Sequence, residues 1–218
     1  IYLVLIGLAC FLAALMPDIA QRPQYITDRL ELRRPRFWVA SVAIMLTTSA
    51  TGLVDGALPL HFASKLTQAE IGGAFAGLGI IVAFASAVAG HLKPRPATGA
   101  GVVALVFGIE LAGASGAVEV WLPALAVMGF GIGIGQTGAT GLLLGAVPTE
   151  RIVSAMVVWS QMAMVGYLVA PVAGGALGQT LGYRALGIVP AVMGASLVSI
   201  AAFARKERGT PHAERVPT

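Results

Sequence analysis

The sequence predicts an all-α membrane protein with seven transmembrane helices. Of its 218 residues, 57% are hydrophobic and 11% are charged, whereas about a quarter of the residues of an ordinary soluble domain carry a charge. Seven apolar stretches reach the roughly 17–25 residues that a helix needs to cross a hydrocarbon core of about 30 Å. The basic residues are concentrated in alternate loops between these stretches. Lipid is therefore the expected solvent for most of the chain.

The first predicted span, residues 1–17, is separated from the others by the longest connection in the chain. This connection, residues 18–36, is polar and rich in arginine, and we interpret it as a linker between two structural units. Its arginines are expected to set the topology and to contact lipid headgroups. The chain starts inside an apolar run with no charged segment before it, which indicates a fragment that begins within a helix.

Six further spans with short connections occupy residues 37–204 and predict one six-helix bundle, followed by a polar tail at 205–218. Proline and charged residues mark the ends of these spans. Glu110 lies within one of them, and we expect it at the membrane interface or in a structural pair. The spans are placed near 37–60, 71–91, 98–117, 121–146, 152–175 and 185–204.

The distribution of basic residues predicts the orientation. Seven spans alternate sides, so the loops form two groups, and only Lys65 and Arg184 belong to the first group. Because basic loops stay in the cytoplasm, the linker and the C-terminus are expected there, in a multi-pass protein of the cell membrane. The other group holds twelve basic residues: Arg22, Arg29, Arg33, Arg34, Arg36, Lys93, Arg95, Arg151, Arg205, Lys206, Arg208 and Arg215.

No active site is visible in the sequence. No glycine-rich nucleotide loop follows a strand, and the histidines fall at span ends or in the tail. The single cysteine, Cys10, lies in an apolar run and excludes a disulfide framework within the chain. We therefore expect no catalytic residue, no cofactor, no bound metal and no nucleic acid partner.

Polar side chains within the second span are candidates for a solute pathway. Thr47, Thr51 and Asp55 are spaced i, i+4 and i+8, which places them along one stripe of a helix. Such residues are costly in lipid, so they usually face a bundle interior or a water-filled cavity. Asp55 falls toward the outer interface, and a solvated helix end is the alternative interpretation.

Two later spans carry glutamines near the middle of the membrane. Gln136 is followed by Thr140 one turn further along the same face, and Gln161 lies in the next span. A glutamine at this depth either contacts substrate or forms a hydrogen bond across a helix interface. The residue types favour neither alternative.

Glycines recur with small-xxx-small spacing, which lets two helix backbones approach closely in lipid. The pairs are Gly52/Gly56, Gly73/Gly77, Gly131/Gly135 and Gly141/Gly145. A proline and further glycines interrupt the apolar run GYLVAPVAGG at residues 166–175. Because an unpaired backbone group in lipid is expensive, we expect Pro171 to bend this helix rather than end it.

This run resembles the glycine-proline signature GxxxGPxxGG of the major facilitator superfamily. Gly166, Pro171, Gly174 and Gly175 match the signature, and Ala170 stands where its second glycine is expected. In drug/proton antiporters of that superfamily the signature belongs to helix five, and helix eleven is its repeat-related counterpart. The run here is similar to helix eleven, where the signature implies a surface for helix packing.

A second stretch, GHLKPRPATG, resembles the superfamily's cytoplasmic loop motif after helix eight. Gly90 is retained, and Lys93 and Arg95 keep the basic character of the motif, but its usual aspartate is missing. This departure weakens the case for a charge-based gating lock in this half of the fold.

The resemblance implies the C-terminal half of a transporter, closest in signature to the drug/proton antiporters. The first span is then helix six, the linker is the central loop, and residues 37–204 hold helices seven to twelve. In the family, helices seven and ten line the central cavity, and helix eleven lies near its wall. The cavity candidates are therefore Thr47, Thr51, Asp55, Gln136 and Thr140, with Gln161 next in order.

The function implied by the resemblance is secondary active transport of a small solute by alternating access, for example drug or metabolite efflux coupled to protons. The implied partners are the lipid bilayer, a missing N-terminal half and a small-molecule substrate. A seven-helix receptor-like or structural membrane protein is the alternative. A membrane enzyme would need a catalytic cluster near an interface, which the sequence does not show.

Overall fold

A computed structural model describes residues 35–188 and residue 192 of the chain. The predicted span 1–17, nearly all of the linker, most of the span 185–204 and the tail 205–218 lie outside the described residues. The described helices are α1 (Pro35–Phe62), α2 (Gln68–Ala89), α3 (Pro94–Ala114), α4 (Val118–Leu144) and α5 (Ile152–Leu181), with 3₁₀ helices at Thr149–Arg151 and Tyr183–Gly187.

The five α-helices of the described region are each long and apolar enough to cross a membrane. They coincide with the second to sixth predicted spans, and the predicted all-helical architecture is confirmed for this part of the chain. Their ends differ from the prediction in two places. Helix α3 begins at Pro94 rather than at 98, because the first turn of a helix tolerates a proline that lacks the N–H group. Helix α5 continues through Pro171 to Leu181 rather than ending at 175.

Local sequence explains where α2 begins and where α5 ends. Thr67 caps α2, because its hydroxyl oxygen accepts a hydrogen bond from the Glu70 amide while the Glu70 carboxylate accepts one from the Thr67 amide at 2.8 Å. This reciprocal arrangement satisfies two amides that the helix itself leaves unpaired. Helix α5 ends at Leu181 and is followed by Gly182, whose φ of 81° is in the left-handed region that favours glycine.

Helix α1 is the most buried helix of the described bundle. In its most apolar window 67% of the residues are buried, compared with 11% for α2 and for α5. It packs against α5 on one side and α4 on the other, while α4 also contacts α2 and α3. Because lipid tails are as apolar as the helices, close van der Waals contact must hold these helices together.

Glycines in α4 provide that close contact along two of its faces. A Cβ atom at Gly131 would lie 2.7 Å from the Leu105 amide nitrogen in α3, and one at Gly133 would lie 2.5 Å from the Val82 carbonyl oxygen in α2. Real Cβ atoms do not approach backbone atoms so closely, so neither position has room for a side chain. The glycines therefore allow the backbone of α4 to pack directly against the backbones of α2 and α3.

The predicted pair Gly73/Gly77 behaves differently, because no other described group lies within 4 Å of a Cβ built at either position. Leu78 and Ala85 of the same helix, by contrast, are buried. The spacing of the pair is right for close packing, but the described helices do not use it.

Two loops meet at one end of the bundle, the end predicted to be external. The Lys65 ammonium after α1 donates a hydrogen bond to the Gly116 carbonyl oxygen after α3, at 2.5 Å. Beside them, the Phe62 and Trp121 rings stack with centroids 4.5 Å apart, and His61 and Tyr183 lie 4.4 Å apart. The loops after α1, α3 and α5 therefore share one end, as alternation of the spans requires.

Candidate functional site

The polar stripe predicted on α1 is divided between two environments. Thr47 is 1% exposed, and its hydroxyl donates within the helix to the carbonyl oxygens of Ala43 and Ile44, both at 3.1 Å. A Cβ built at Gly135 of α4 would lie 3.1 Å from its methyl group. Thr47 therefore lies in the packing between α1 and α4 and is not exposed at the surface of the described bundle.

One turn further along α1, Thr51 forms a hydrogen bond that joins two helices. The Gln136 side-chain amide of α4 donates to the Thr51 hydroxyl oxygen at 3.2 Å, and Thr51 donates to the Thr47 carbonyl oxygen at 2.8 Å. Thr51 and Gln136 are both half-buried. The structure thus brings together two cavity candidates that are 85 positions apart in the sequence.

Another turn along α1, Asp55 is exposed and meets α5. The Tyr167 hydroxyl donates a hydrogen bond to Asp55 Oδ2 at 3.1 Å, and Tyr167 is 40% exposed. The sequence analysis did not identify Tyr167, although this tyrosine lies inside GYLVAPVAGG as a polar aromatic residue in an apolar run. That feature could have directed attention to it.

Both members of this pair lie well inside the length of their helices. The 28 residues of α1 have their midpoint between Thr48 and Ser49, so Asp55 lies about 10 Å beyond it at about 1.5 Å per residue. Half of a typical hydrocarbon core is about 15 Å. Tyr167 is at the middle of α5, which covers Ile152–Leu181. For helices centred on the bilayer, the Asp55 carboxylate is therefore inside the hydrocarbon region rather than at its edge.

The remaining predicted candidates contribute less to this arrangement. The Thr140 hydroxyl donates to the Gln136 carbonyl oxygen at 2.9 Å within α4, and Thr140 is half-buried. The Gln161 side chain is exposed on α5 and makes no hydrogen bond within the part of the chain that the structure describes. Two hydrogen bonds thus connect polar side chains across α4, α1 and α5. We call these four residues the polar strip: Gln136, Thr51, Asp55 and Tyr167.

Beside the polar strip, the glycine-proline run of α5 packs directly on α1. A Cβ at Gly56 would lie 2.5 Å from Pro171 Cβ, and a Cβ at Gly52 would lie 2.7 Å from the Tyr167 carbonyl oxygen. Pro171 therefore occupies a shallow groove that the Gly52/Gly56 pair opens on α1. The proline ring fills space that two missing side chains leave free.

The other residues of the run do not all face this interface. A Cβ at Gly166 would lie 2.5 Å from the Met45 carbonyl oxygen, and one at Gly174 would overlap Leu53 Cδ2, whereas nothing lies within 4 Å of a Cβ at Gly175. Successive residues of a helix point about 100° apart, so Gly174 can face α1 while Gly175 faces away.

The predicted loop residues lie between the end of α2 and the first turn of α3, and Arg95 belongs to α3 itself. Gly90, Lys93 and Arg95 are all exposed. The Gly90 amide donates to the Ser86 carbonyl oxygen at 3.2 Å, which completes the end of α2, and Lys93 immediately precedes α3. These residues lie at the opposite end of the bundle from Lys65.

The family model described as Major Facilitator Superfamily matches residues 40–218. The chain belongs to the major facilitator superfamily. No curated protein and no solved structure matches it significantly. Members of this family are transporters rather than enzymes, so the chain is a membrane transport protein. The receptor-like alternative is not favoured. A lipid bilayer and a small-molecule substrate follow from membership.

Proposed function

We propose that this chain is part of a secondary active transporter that moves a small solute across the cell membrane by alternating access. The observation that carries the proposal is the polar strip, which places partly exposed polar side chains on helices that are otherwise apolar enough to cross a membrane. Polar side chains at this depth are expensive unless they serve a cavity or a partner. The family match to residues 40–218 supports the same function.

In this proposal the chain is the C-terminal half of the fold, from helix six to helix twelve. Helices α1 to α5 are then helices seven to eleven, and the polar strip is one wall of a site whose other wall comes from an N-terminal half. In alternating access, two such bodies rock around a site near the membrane midplane. The Gly52/Gly56 groove lets α5 follow α1 during that motion.

The finer form of the proposal is efflux of a drug or metabolite coupled to protons, with the C-terminus in the cytoplasm. The similarity of GYLVAPVAGG to the drug/proton antiporter signature supports efflux. The basic residues of the linker and tail support the orientation.

The test uses the full-length transporter that contains this sequence, reconstituted in proteoliposomes with an imposed proton gradient. We expect it to concentrate at least one member of a panel of labelled drugs and sugars. Gln136→Ala should change the KM for that solute while the yield of folded protein stays near that of the native protein. Gln179→Ala is the matched control, because Gln179 is exposed near the outer end of α5.

Two results would count against the proposal. If Gln136→Ala leaves transport unchanged but lowers thermal stability, Gln136 is a packing residue and the polar strip is not the site. If no member of the panel moves in either direction, while the protein is folded and correctly oriented, the transport function itself is refuted.

A further inference from the structure

We propose that the turn from α2 into α3 binds the headgroup of an anionic phospholipid, and that the acyl chains of this lipid lie along the exposed side of α2. The headgroup contacts are His91, Lys93 and Arg95. The inference goes beyond the proposed function, because it names a lipid partner whose binding does not depend on the transported solute. The site is at the end of the bundle opposite Lys65.

The first argument is the charge of the turn. Its three headgroup contacts are all exposed, and none of them forms an ion pair within the described residues. No residue between Glu70 and Glu110 is acidic. Of the acidic residues that the structure describes, only Glu150 lies at this end of the bundle, in the 3₁₀ helix before α5. The turn therefore has positive charge that the described part of the chain does not neutralise.

The helix ends at this turn do not determine the sign of its potential. The C-terminus of α2 carries about half a negative charge and the N-terminus of α3 about half a positive one, so the two nearly cancel. Pro94 and Pro96 lack N–H groups, so the first turn of α3 offers few backbone donors to an anion. The contacts therefore come from the side chains of Lys93 and Arg95. A guanidinium group can bind a phosphate through two parallel hydrogen bonds.

The backbone of the turn is held in place on both sides. The Leu92 amide donates to the Ala89 carbonyl oxygen at 3.0 Å, which continues the end of α2. A Cβ at Gly141 would lie 2.9 Å from Pro94 Cγ, so the start of α3 packs closely on α4. The basic side chains thus extend from a fixed backbone, which lowers the cost of ordering the site when a ligand binds.

The turn also lies at the depth of lipid headgroups. Helix α2 has 22 residues, which gives a length of about 33 Å at about 1.5 Å per residue. The hydrocarbon core is about 30 Å thick, so a turn that follows a spanning α2 is at the level of the phosphates. Lys93 and Arg95 are two positions apart, so their Cα atoms are separated by at most about 7 Å. Both side chains can therefore contact the same phosphate.

The second argument is the apolar side of α2 that leads from the turn into the membrane. Ile80, Phe84 and Val88 are 72%, 62% and 43% exposed, and their spacing places them along one side of the helix. Gly73 and Gly77 continue that spacing, and no other described group lies within 4 Å of a Cβ at either. This side has large apolar groups near the turn and a shallow channel beyond them, which suits the acyl chains of a lipid.

The charge of the turn favours an anionic lipid over a zwitterionic one. The choline group of phosphatidylcholine would be placed near Lys93 and Arg95, in a segment with no carboxylate to offset its positive charge. Phosphatidylglycerol has the phosphate without the cationic group. Each basic residue near an anionic membrane surface strengthens binding by about fivefold.

The experiment measures binding of phosphatidylglycerol to the full-length protein in detergent by native mass spectrometry. Phosphatidylcholine with the same acyl chains is the control ligand, and the native protein should bind it more weakly. Lys93→Gln combined with Arg95→Gln should weaken binding of phosphatidylglycerol by roughly thirtyfold and leave binding of phosphatidylcholine unchanged. Lys65→Gln is the matched control, because it removes the same charge at the other end of the bundle, and it should keep the native affinity.

A second pair of variants tests the acyl chains. Phe84→Ala should weaken the binding of both lipids alike, because it removes apolar contact without changing the charge. Phe107→Ala is its control, because Phe107 is 59% exposed on α3 rather than on α2. Native affinity in Phe107→Ala and lower affinity in Phe84→Ala would place the chains on α2.

The inference is overturned if the double variant binds phosphatidylglycerol with native affinity, or if the native protein binds both lipids equally. Native affinity in Phe84→Ala would refute the position of the acyl chains, as expected if another part of the transporter covers this side of α2. Displacement of the lipid by inorganic phosphate would show a site for soluble anions and would also refute it.

Should the double variant fail to fold, each single change should still weaken binding of phosphatidylglycerol by about fivefold. Arg95→Lys keeps the charge and should retain most of the native affinity. None of these measurements uses transport as its readout. A protein that binds the lipid but moves no solute would keep the lipid site and remove the proposed function.

Discussion

Replacement of Gly174 by leucine tests the contact between the glycine-proline run and α1. A Cβ at this position would overlap Leu53 Cδ2 and lie 3.4 Å from Ala57 Cβ. Leu53 is 1% exposed within the main core cluster, so its side chain cannot turn out into lipid. The leucine must therefore separate the two helices or distort α1.

The matched control for this change is Gly175→Leu, because nothing lies within 4 Å of a Cβ at Gly175. Both substitutions remove a glycine from the same helix, so the gain in helix propensity of up to about 1 kcal/mol is common to both variants. The difference between them then reports the contact alone. Overpacking of a well-packed site costs typically 1–3 kcal/mol, and a whole leucine side chain at a close crossing should reach about 3 kcal/mol.

The assay is the thermal unfolding of the detergent-purified protein, followed by the loss of the monodisperse peak in size-exclusion chromatography. A loss of about 3 kcal/mol corresponds to a Tm roughly 6–12 °C below that of Gly175→Leu for a protein of this size. Equal Tm values for the two variants would refute the contact between Gly174 and α1. If both variants lose Tm by the same large amount, any leucine in this region is destabilising, and the contact of Gly174 with α1 is not the cause.

Two further predictions concern packing and orientation. Gly133→Ala should lower the Tm and the folded yield, because the added Cβ would lie 2.5 Å from the Val82 carbonyl oxygen. Gly73→Ala is the control and should leave both unchanged. A Gly133→Ala variant with the native Tm and yield would contradict the close crossing of α2 and α4. Single cysteines in the linker 18–36 should react with a membrane-impermeant maleimide only from the cytoplasmic side, and one replacing Lys65 only from outside, so external labelling of the linker would reverse the predicted topology.

The positions of the spans could be predicted because hydropathy is a property of each segment by itself. Helices α1 to α5 appear where the apolar stretches are, and the hydrophobic effect places those stretches in lipid whatever their neighbours are. The end of α5 could not be predicted in the same way. The cost of unpaired backbone groups in lipid predicts that the helix continues through Pro171, as it does, but it does not predict that the helix runs past residue 175 as far as Leu181.

The candidate site was only partly predictable, and α1 shows why. Thr47 and Asp55 are eight positions apart, and at 3.6 residues per turn such positions are rotated by about 80° from each other. That angle is enough to place Thr47 against α4 and Asp55 against α5. A spacing rule treats the two as members of one stripe. The faces of a helix acquire different roles only when its neighbours are in place.

The amino-acid sequence alone was sufficient for the membrane environment, for the spans that the structure describes, and for the family resemblance, because hydropathy and short motifs depend on residues near each other in the chain. The meeting of Tyr167 with Asp55, and of Gln136 with Thr51, depended on the relative register of three helices. That register is held by contacts such as Pro171 against Gly56, between residues more than a hundred positions apart. No local pattern contains that information, because it arises from the shapes of two surfaces that fold against each other.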